Sequence, residues 1–306
     1  MEKQATPSSK GELTTVSIGI PAYNEGRSIS QLLHALLKQP TQGFALKEII
    51  VNPSGSTDNI QIKVRAVAQT DSRIKMISTG NRCGKAAALN EILQIAESDL
   101  ILFIDADVVL GQMAIQDLVA PLLQNEKIGV SSGNTMPIEQ DDQKSFFGFA
   151  SLFTRELHHE LCSYLMRKGH VPKVNGTFYA FRKSIMDSFP KAIVSDDEYV
   201  SWLAQRKGYK IVYAPSALVF TIDPHSLIDF LKWQERIIAG QLYMKRHFNY
   251  DVPTMRISVA LNGGIVKLFS KYRGKALSLF ALSALGALSF FLAYLKLIKG
   301  EVPYAY

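Results

Sequence analysis

The sequence predicts an α/β fold, a mostly parallel sheet with helices on both faces, followed by one apolar helix near the C-terminal end. Apolar β-branched runs alternate with helix-period segments through the first 124 residues. Polar, glycine-containing motifs follow the strands, where open parallel sheets bind their ligands. The stretch from Ala276 to Leu295 carries no charge. With 306 residues, 47% hydrophobic and 20% charged, the chain has enough apolar surface for one large α/β domain or two small ones.

Residues 1–15 are rich in Lys, Glu, Ser, Thr and Pro and lack an apolar core of the signal-peptide type, so they read as a solvated, disordered arm. Val16–Ile20 is the first strand and Ser28–Lys38 the helix after it. Between them, Pro21, Ala22, Tyr23, Asn24 and Glu25 serve either helix entry or ligand contact. The second unit is Lys47–Val51 followed by Thr57–Gln69. Its connection, Ser54-Gly55-Ser56-Thr57-Asp58, forms either a phosphate- or ring-binding turn or a plain helix cap. The third is Ile74–Ser78 and Gly84–Glu97. Arg82, Gly84 and Lys85 put two cations and a glycine at the head of an Ala-rich helix that reaches Asn90, as a diphosphate contact or as a solvated basic loop. The fourth is Leu100–Ile104 and Met113–Gln124, with Asp105-Ala106-Asp107 directly after an apolar strand. Two carboxylates there are costly to bury without a partner. Residues two apart in extended backbone point the same way, so the pair suits a hard divalent cation; the alternative is a cap at Asp107 and a lysine partner for Asp105.

Downstream, Ser195-Asp196-Asp197-Glu198 has the composition of a helix start, Ser capping and acids facing the dipole. His158 and His159 lack zinc-site spacing and read as surface or acceptor-side residues. Phe146, Phe147, Phe149 and Phe153 read as a packing face of a helix, with a carbohydrate subsite as the alternative. Two cysteines, Cys83 and Cys162, define neither a disulfide framework nor a thiolate metal site. The net charge of +7 favours an anionic partner. The basic residues are dispersed and not interleaved with aromatics, which argues against nucleic acid.

The apolar run, taken as 276–298, is long enough to span a membrane; the alternative is a buried or interfacial hairpin helix, since Ser, Ala and Gly dilute its apolarity. Lys267, Lys271, Arg273 and Lys275 before it outnumber Lys296 and Lys299 after it, so the positive-inside bias puts the body in the cytoplasm and a 299–306 tail outside, a single-pass arrangement. Residues 251–275 mix apolar and basic side chains in the manner of an amphipathic interfacial segment.

Taken together and in this order, PAYNE, SGSTD, RCGKAAALN, DAD, NGTFYAFR and SDDEY resemble the family 2 glycosyltransferases of the GT-A fold, a Rossmann-like α/β architecture, over Val16 to Gly240. The resemblance implies a catalytic domain over 16–250 that moves a hexosyl or N-acetylhexosaminyl group, with inversion, from a nucleotide-diphosphate sugar. It implies Mg²⁺ or Mn²⁺ held by Asp107 and Asp105, the general base at Asp197 with Asp196 as the other choice, and substrate contacts from Pro21, Tyr23, Asn24, Glu25, Ser54, Gly55, Arg82, Gly84, Lys85, Asn90, Asp105, Gly176 and Arg236. A lipid-linked or cell-envelope glycan is the expected acceptor. Two departures stand out. Asn52, Pro53 and Ser54 replace the family's acidic pair before GST, so only the family's habit favours uridine. Trp233-Gln234-Glu235-Arg236-Ile237 matches the QxxRW region of processive members only in part, leaving Arg236 as a diphosphate contact and Trp233 as a sugar platform or a core residue. The competing readings are a sugar-nucleotide-binding scaffold without turnover and a sugar-phosphate nucleotidyltransferase.

Overall fold

The computed structural model describes residues 13–77, 82, 84–138, 145–190 and 193–299; Asn81, Cys83, the first twelve residues of the expected arm and 300–306 of the expected tail lie outside them. Four β-α units come first: β1 (Thr14–Pro21) and α1 (Ile29–Leu37), β2 (Phe44–Asn52) and α2 (Ile60–Ala68), β3 (Ile74–Met76) and α3 (Lys85–Ile95), β4 (Leu100–Ile104) and α4 (Ala114–Gln124), with a short β5 (Val108–Leu110) inside the last. Thr14 and Thr15, expected in the arm, belong to β1. The remainder is β6 (Ile128–Pro137), α5 (Phe146–Arg167), β7 (Phe178–Arg182), α6 (Asp196–Arg206), β8 (Lys210–Thr221), α7 (Leu227–Phe248), α8 (Ile257–Ala260), α9 (Val266–Lys271) and α10 (Ala276–Ile298).

All eight strands form one sheet in the order β3-β2-β1-β4-β7-β6-β8-β5. β1 pairs in parallel with both β2 and β4, while β7 lies antiparallel between β4 and β6. β8 is parallel to β6, and β5 pairs antiparallel with β8. Only β5 and β7 therefore run against the common direction.

Strand alternation divides the interior into two cores. Leu100, Leu102 and Ile104 of β4 join Val16, Ile18 and Ile20 of β1 beneath α1, α2 and α4, while Ile101 and Phe103 face Leu89, Ile92, Tyr179 and Phe181 on the α3 side. Burial on both faces explains why β4 is apolar at every position, and each such side chain stabilises the fold by ~1.5–3 kcal/mol. Helix α1 shows the matching period, burying Ile29, Leu32, Leu33 and Leu36. At Gly19 a Cβ would stand 2.6 Å from the Phe103 ring; the missing side chain lets α3 and the ring close over β1.

Phe149 and Phe153 form a smaller cluster with Leu268 and Leu279, so the phenylalanines of α5 receive α9 and the start of α10. Helix α10 is long and apolar enough to cross a membrane. In the structure it packs along α7, and its far end is tied there: the Lys296 ammonium pairs with Glu235, and Arg246 Nη1 donates to the Leu297 carbonyl at 3.2 Å.

Candidate active site

The carboxyl ends of β1, β2 and β4 open on one rim, and the motifs that follow them meet there. Asn24 takes a left-handed conformation with φ 58°. Its amide N–H donates to Ser56 Oγ at 2.9 Å, and its Oδ1 accepts from the Thr57 amide at 2.8 Å. The Gly26 amide donates to Asp58 Oδ2 at 2.7 Å. The first two loops are thus stitched to each other, and Asn24 acts through that stitch. Ser54 and Gly55 also have positive φ, 39° and 68°, closing a tight turn whose Ser54 amide donates to Asn52 Oδ1 at 3.0 Å. Asn52 Nδ2 in turn donates to Glu91 Oε2 at 2.7 Å, so a carboxylate from α3 lies against the position where the family pattern has an acid. The Arg82 guanidinium lies 4.0 Å from the centroid of the Tyr23 ring, a cation–π contact at the rim.

Asp105 leaves the end of β4 with its amide donating to the Thr177 carbonyl at 3.0 Å. Lys85, from the first turn of α3, donates to Asp105 Oδ1 at 3.0 Å and to the Gly176 carbonyl at 3.3 Å, and stands 3.7 Å from Asp196 Oδ1. Those carboxylates more than offset its burial and hold its pKa above the usual lysine value. Burial, then the charge of Asp105, pushes the Asp107 carboxyl up, against the pull of Lys85 and Arg236. Burial likewise raises Glu25, with Asp107, Asp58 and Asp105 adding to it. Arg236, from α7, therefore reaches the same electrostatic neighbourhood.

Crowded carboxylates whose ionised forms repel one another fit a divalent cation. Among the described residues no group of three or more His, Cys, Asp and Glu side chains forms a metal cage. Asp107 and Asp105 would hold Mg²⁺ or Mn²⁺ as partial ligands, leaving positions for phosphate and water oxygens, as suits a small hard ion.

Across Lys85 lies the start of α6. Asp196 Oδ2 accepts from the Tyr179 hydroxyl at 2.9 Å while Oδ1 faces Lys85; both oxygens are engaged. Burial first, and Asp197 beside it, raise the Asp196 carboxyl. Asp197 Oδ1 accepts from Ser195 Oγ at 2.8 Å and from the Glu198 amide at 2.9 Å. Ser195 therefore braces Asp197 and does not cap the helix. Asp197 Oδ2 lies against Gly176, where a Cβ would approach to 3.1 Å, and 3.9 Å from Lys173 Nζ. Lys173 is 3.5 Å from Glu198, whose side chain is fully buried; burial, helped by Asp197, pushes that carboxyl up to about 8.

Pro21, Tyr23, Asn24, Glu25, Ser54, Gly55, Arg82, Gly84, Lys85, Asp105, Asp107, Gly176, Asp196, Asp197 and Arg236 all lie on this rim or on the elements that form it. Asn90 does not fit a substrate contact: its Nδ2 donates to the Phe189 carbonyl at 2.9 Å and its Oδ1 accepts the Phe189 amide at 2.6 Å, so both polar ends fix the chain ahead of α6. Trp233 packs on Phe230 with the Arg155 guanidinium 5.2 Å from its ring centroid, a packed position. His158, expected at the surface or the acceptor side, is held neutral, its pKa pushed down to about 3 by burial and by Lys173 and Arg155. Sequence reasoning missed Lys173, Glu91 and Tyr179. Each is joined to the site through a partner distant in sequence; Lys173 and Glu91 stand in no motif, and Tyr179 lies within NGTFYAFR, where only Gly176 was given a role.

The chain is 28% identical over 239 residues to the poly-beta-1,6-N-acetyl-D-glucosamine synthase of Staphylococcus aureus, covering 75% of this chain and 55% of that protein. To the probable glycosyltransferase YdaM of Bacillus subtilis it is 28% identical over 251 residues, 78% of this chain and 57% of that one. It thus spans about half the length of the curated relatives it matches. Among solved structures, the mannosyltransferase PcManGT from Pyrobaculum calidifontis, in complex with GDP-Man and Mn²⁺, shares the fold with a TM-score of 0.63 at 18% identity, covering 97% of this chain and 90% of that one. Glucosyl-3-phosphoglycerate synthase from Mycobacterium tuberculosis, with Mn²⁺, UDP and phosphoglyceric acid, has a TM-score of 0.50 at 23% identity, over 75% of this chain and 78% of that one. Residues 17–188 match the model of glycosyl transferase family 2, and the rim of strand-end carboxylates and cations lies on the elements of that match and on α6 and α7 beyond it: the chain belongs to glycosyl transferase family 2.

Proposed function

We propose that the chain transfers a sugar, with inversion, from a nucleotide-diphosphate sugar to a hydroxyl of a lipid-linked or cell-envelope glycan, working at the cytoplasmic face of a membrane. The observation that carries this reading is the placement of two acidic groups on either side of Lys85, Asp105 with Asp107 on one and Asp196 with Asp197 on the other. The relatives' names support transfer to a glycan, and the metal and nucleotides in the related structures support the donor class.

The donor's diphosphate would lie at Asp105, Asp107, Lys85 and Arg236, with the nucleoside toward Tyr23, the Ser54-Gly55 turn and Asn52. Mg²⁺ or Mn²⁺, when bound, supplies positive charge to the leaving diphosphate. The acceptor oxygen attacks the anomeric carbon from the face opposite the diphosphate; the new C–O bond forms as the old one breaks, and the diphosphate departs with the electron pair. Lys85 and Arg236 present fixed positive charge to it. The acceptor's proton passes to Asp197 Oδ2, the oxygen that Ser195 and the Glu198 amide do not hydrogen-bond and that has Lys173 3.9 Å away. Asp196, engaged at both oxygens, orients Lys85. Glu91 beside Asn52 is the carboxylate available to the base pocket, and uridine remains the preferred nucleoside on the family's habit.

The test is transfer from a panel of UDP-, GDP- and dTDP-sugars with Mn²⁺, Mg²⁺ or EDTA. One donor should turn over, EDTA and Asp107→Ala should abolish transfer, and Asp197→Asn should lower kcat by ~10²–10⁴-fold while donor binding is kept. Binding without turnover would identify a scaffold, release of pyrophosphate from a sugar phosphate and a nucleoside triphosphate would identify a nucleotidyltransferase, and near-normal turnover by Asp197→Asn would move the base elsewhere.

A further inference from the structure

We propose that α8, α9 and α10 form a lipid-docking face on which the chain lies, with α10 in the plane of an anionic bilayer surface and not across it. A spanning helix delivers its two ends to opposite sides of the hydrocarbon. Here both ends of α10 are fastened to the same body: Leu279 packs on Phe149 and Phe153, and Lys296 pairs with Glu235 while Arg246 holds the Leu297 carbonyl. The helix beside it, α7, carries Asp229, Lys232, Glu235, Arg236 and Lys245. Immersing α10 across a bilayer in this arrangement would take those charges into hydrocarbon, where they are costly.

The outer side of α10 has the opposite character. Leu277, Phe280, Leu288, Phe291, Leu295 and Ile298 are exposed and recur at helical spacing along its whole length, Leu277 at 82% and Phe280 at 73%. Ile257, Leu261 and Val266 extend the apolar surface onto α8, α9 and the turn between them. Exposed apolar side chains repeated at helical spacing over a whole helix mark an interaction site.

Charge identifies the occupant. From Val252 to Lys299 the chain has no Asp or Glu, while Arg256, Arg273 and Lys299 are exposed among its basic residues. Lys267 and Lys271 pair with Glu160 and Glu156 of α5; an apolar stripe whose own segment carries only cations is complementary to acyl chains edged by anionic headgroups, the in-plane mode in which a helix sinks ~5–10 Å into the interface. A face made for a second copy of the chain would meet its own positive rim.

The inference does not depend on the transfer reaction, and its test does not use it. In a Cys83→Ser background, Gly274→Cys and Lys299→Cys are expressed separately in bacterial cells and treated with a membrane-impermeant maleimide. Both sites should react in sealed inverted vesicles and neither in intact spheroplasts; reaction of the two from opposite sides would overturn the proposal. Flotation of the purified full chain with phosphatidylcholine vesicles containing phosphatidylglycerol provides the second arm. The pair Phe280→Glu and Phe291→Glu should cut binding at least ten-fold at unchanged circular dichroism, and binding should weaken as salt rises. Equal binding by the double variant, or a detergent-free dimer that covers the face and ignores vesicles, would also overturn it.

Discussion

Lys85 touches both halves of the site, and its ion pair with Asp105 competes with any cation that Asp105 would bind. Metal binding requires ionised carboxylates. Because Asp107 sits above its ordinary value, protons compete with the metal there at a higher pH than for a free carboxylate, so affinity should begin to fall above the usual Asp range. Removing the lysine charge should free Asp105: Lys85→Met is expected to bind Mn²⁺ several-fold more tightly at pH 7.5, by calorimetry, yet to turn over ~10²-fold or more slowly for want of a cation at the diphosphate. Metal affinity unchanged or weakened by the substitution would mean that the Lys85–Asp105 pair does not govern the metal site. The acidic pairs and Lys85 were legible in the sequence because each stands in a short motif with a fixed place after a strand. Lys173 was not, since its meaning comes from Asp197 and Glu198 on another element. Asn90 was misread for a related reason: its amide matches a backbone segment about a hundred positions away, and nothing local distinguishes that from a ligand contact.

At the level of elements, the β-α alternation specified β1 to β4 and their helices, because period two and period 3.6 are both visible in a linear string. The reversal at β7 was not visible. Phe178–Arg182 is buried from Phe178 to Phe181, and an apolar run carries no mark of which way it will pair. Hydropathy also has no direction, so the run at 276–298 announced a helix without revealing that it returns along α7. Closure of α3 onto the sheet depends on Gly19, where a Cβ would lie 2.6 Å from Phe103 and 2.7 Å from Ile92. Gly19→Val should therefore destabilise the fold by ~1–3 kcal/mol, read as a lower denaturation midpoint, and Phe103→Leu in the same chain should recover part of the loss. Full additivity of the two changes would place the cost outside that contact.

For the molecule as a whole, Glu198 links stability to pH. Its ordinary value is 4.5 and its folded value about 8, so between them the folded chain holds a proton that the unfolded chain has released. Stability then falls as pH rises through that window. Glu198→Gln is neutral throughout and should flatten the fall: its Tm relative to the parent should rise between pH 6 and pH 9, by roughly 2–4 °C for each ~1 kcal/mol relieved. A constant difference across that range would show that Glu198 does not carry the proton. Helix α7 connects the two ends of the functional argument through neighbouring residues, Glu235 paired with Lys296 on α10 and Arg236 facing Asp107. Successive side chains on a helix diverge by about 100°, so one turn of α7 meets α10 through Glu235 and the acidic site through Arg236. The helix acts as a standoff. Were α10 to rest on a bilayer as proposed, the Asp107 site would stand about one helix diameter, ~10 Å, above it, a fixed working height that would favour a hydroxyl raised on a headgroup over one lying flush with the surface.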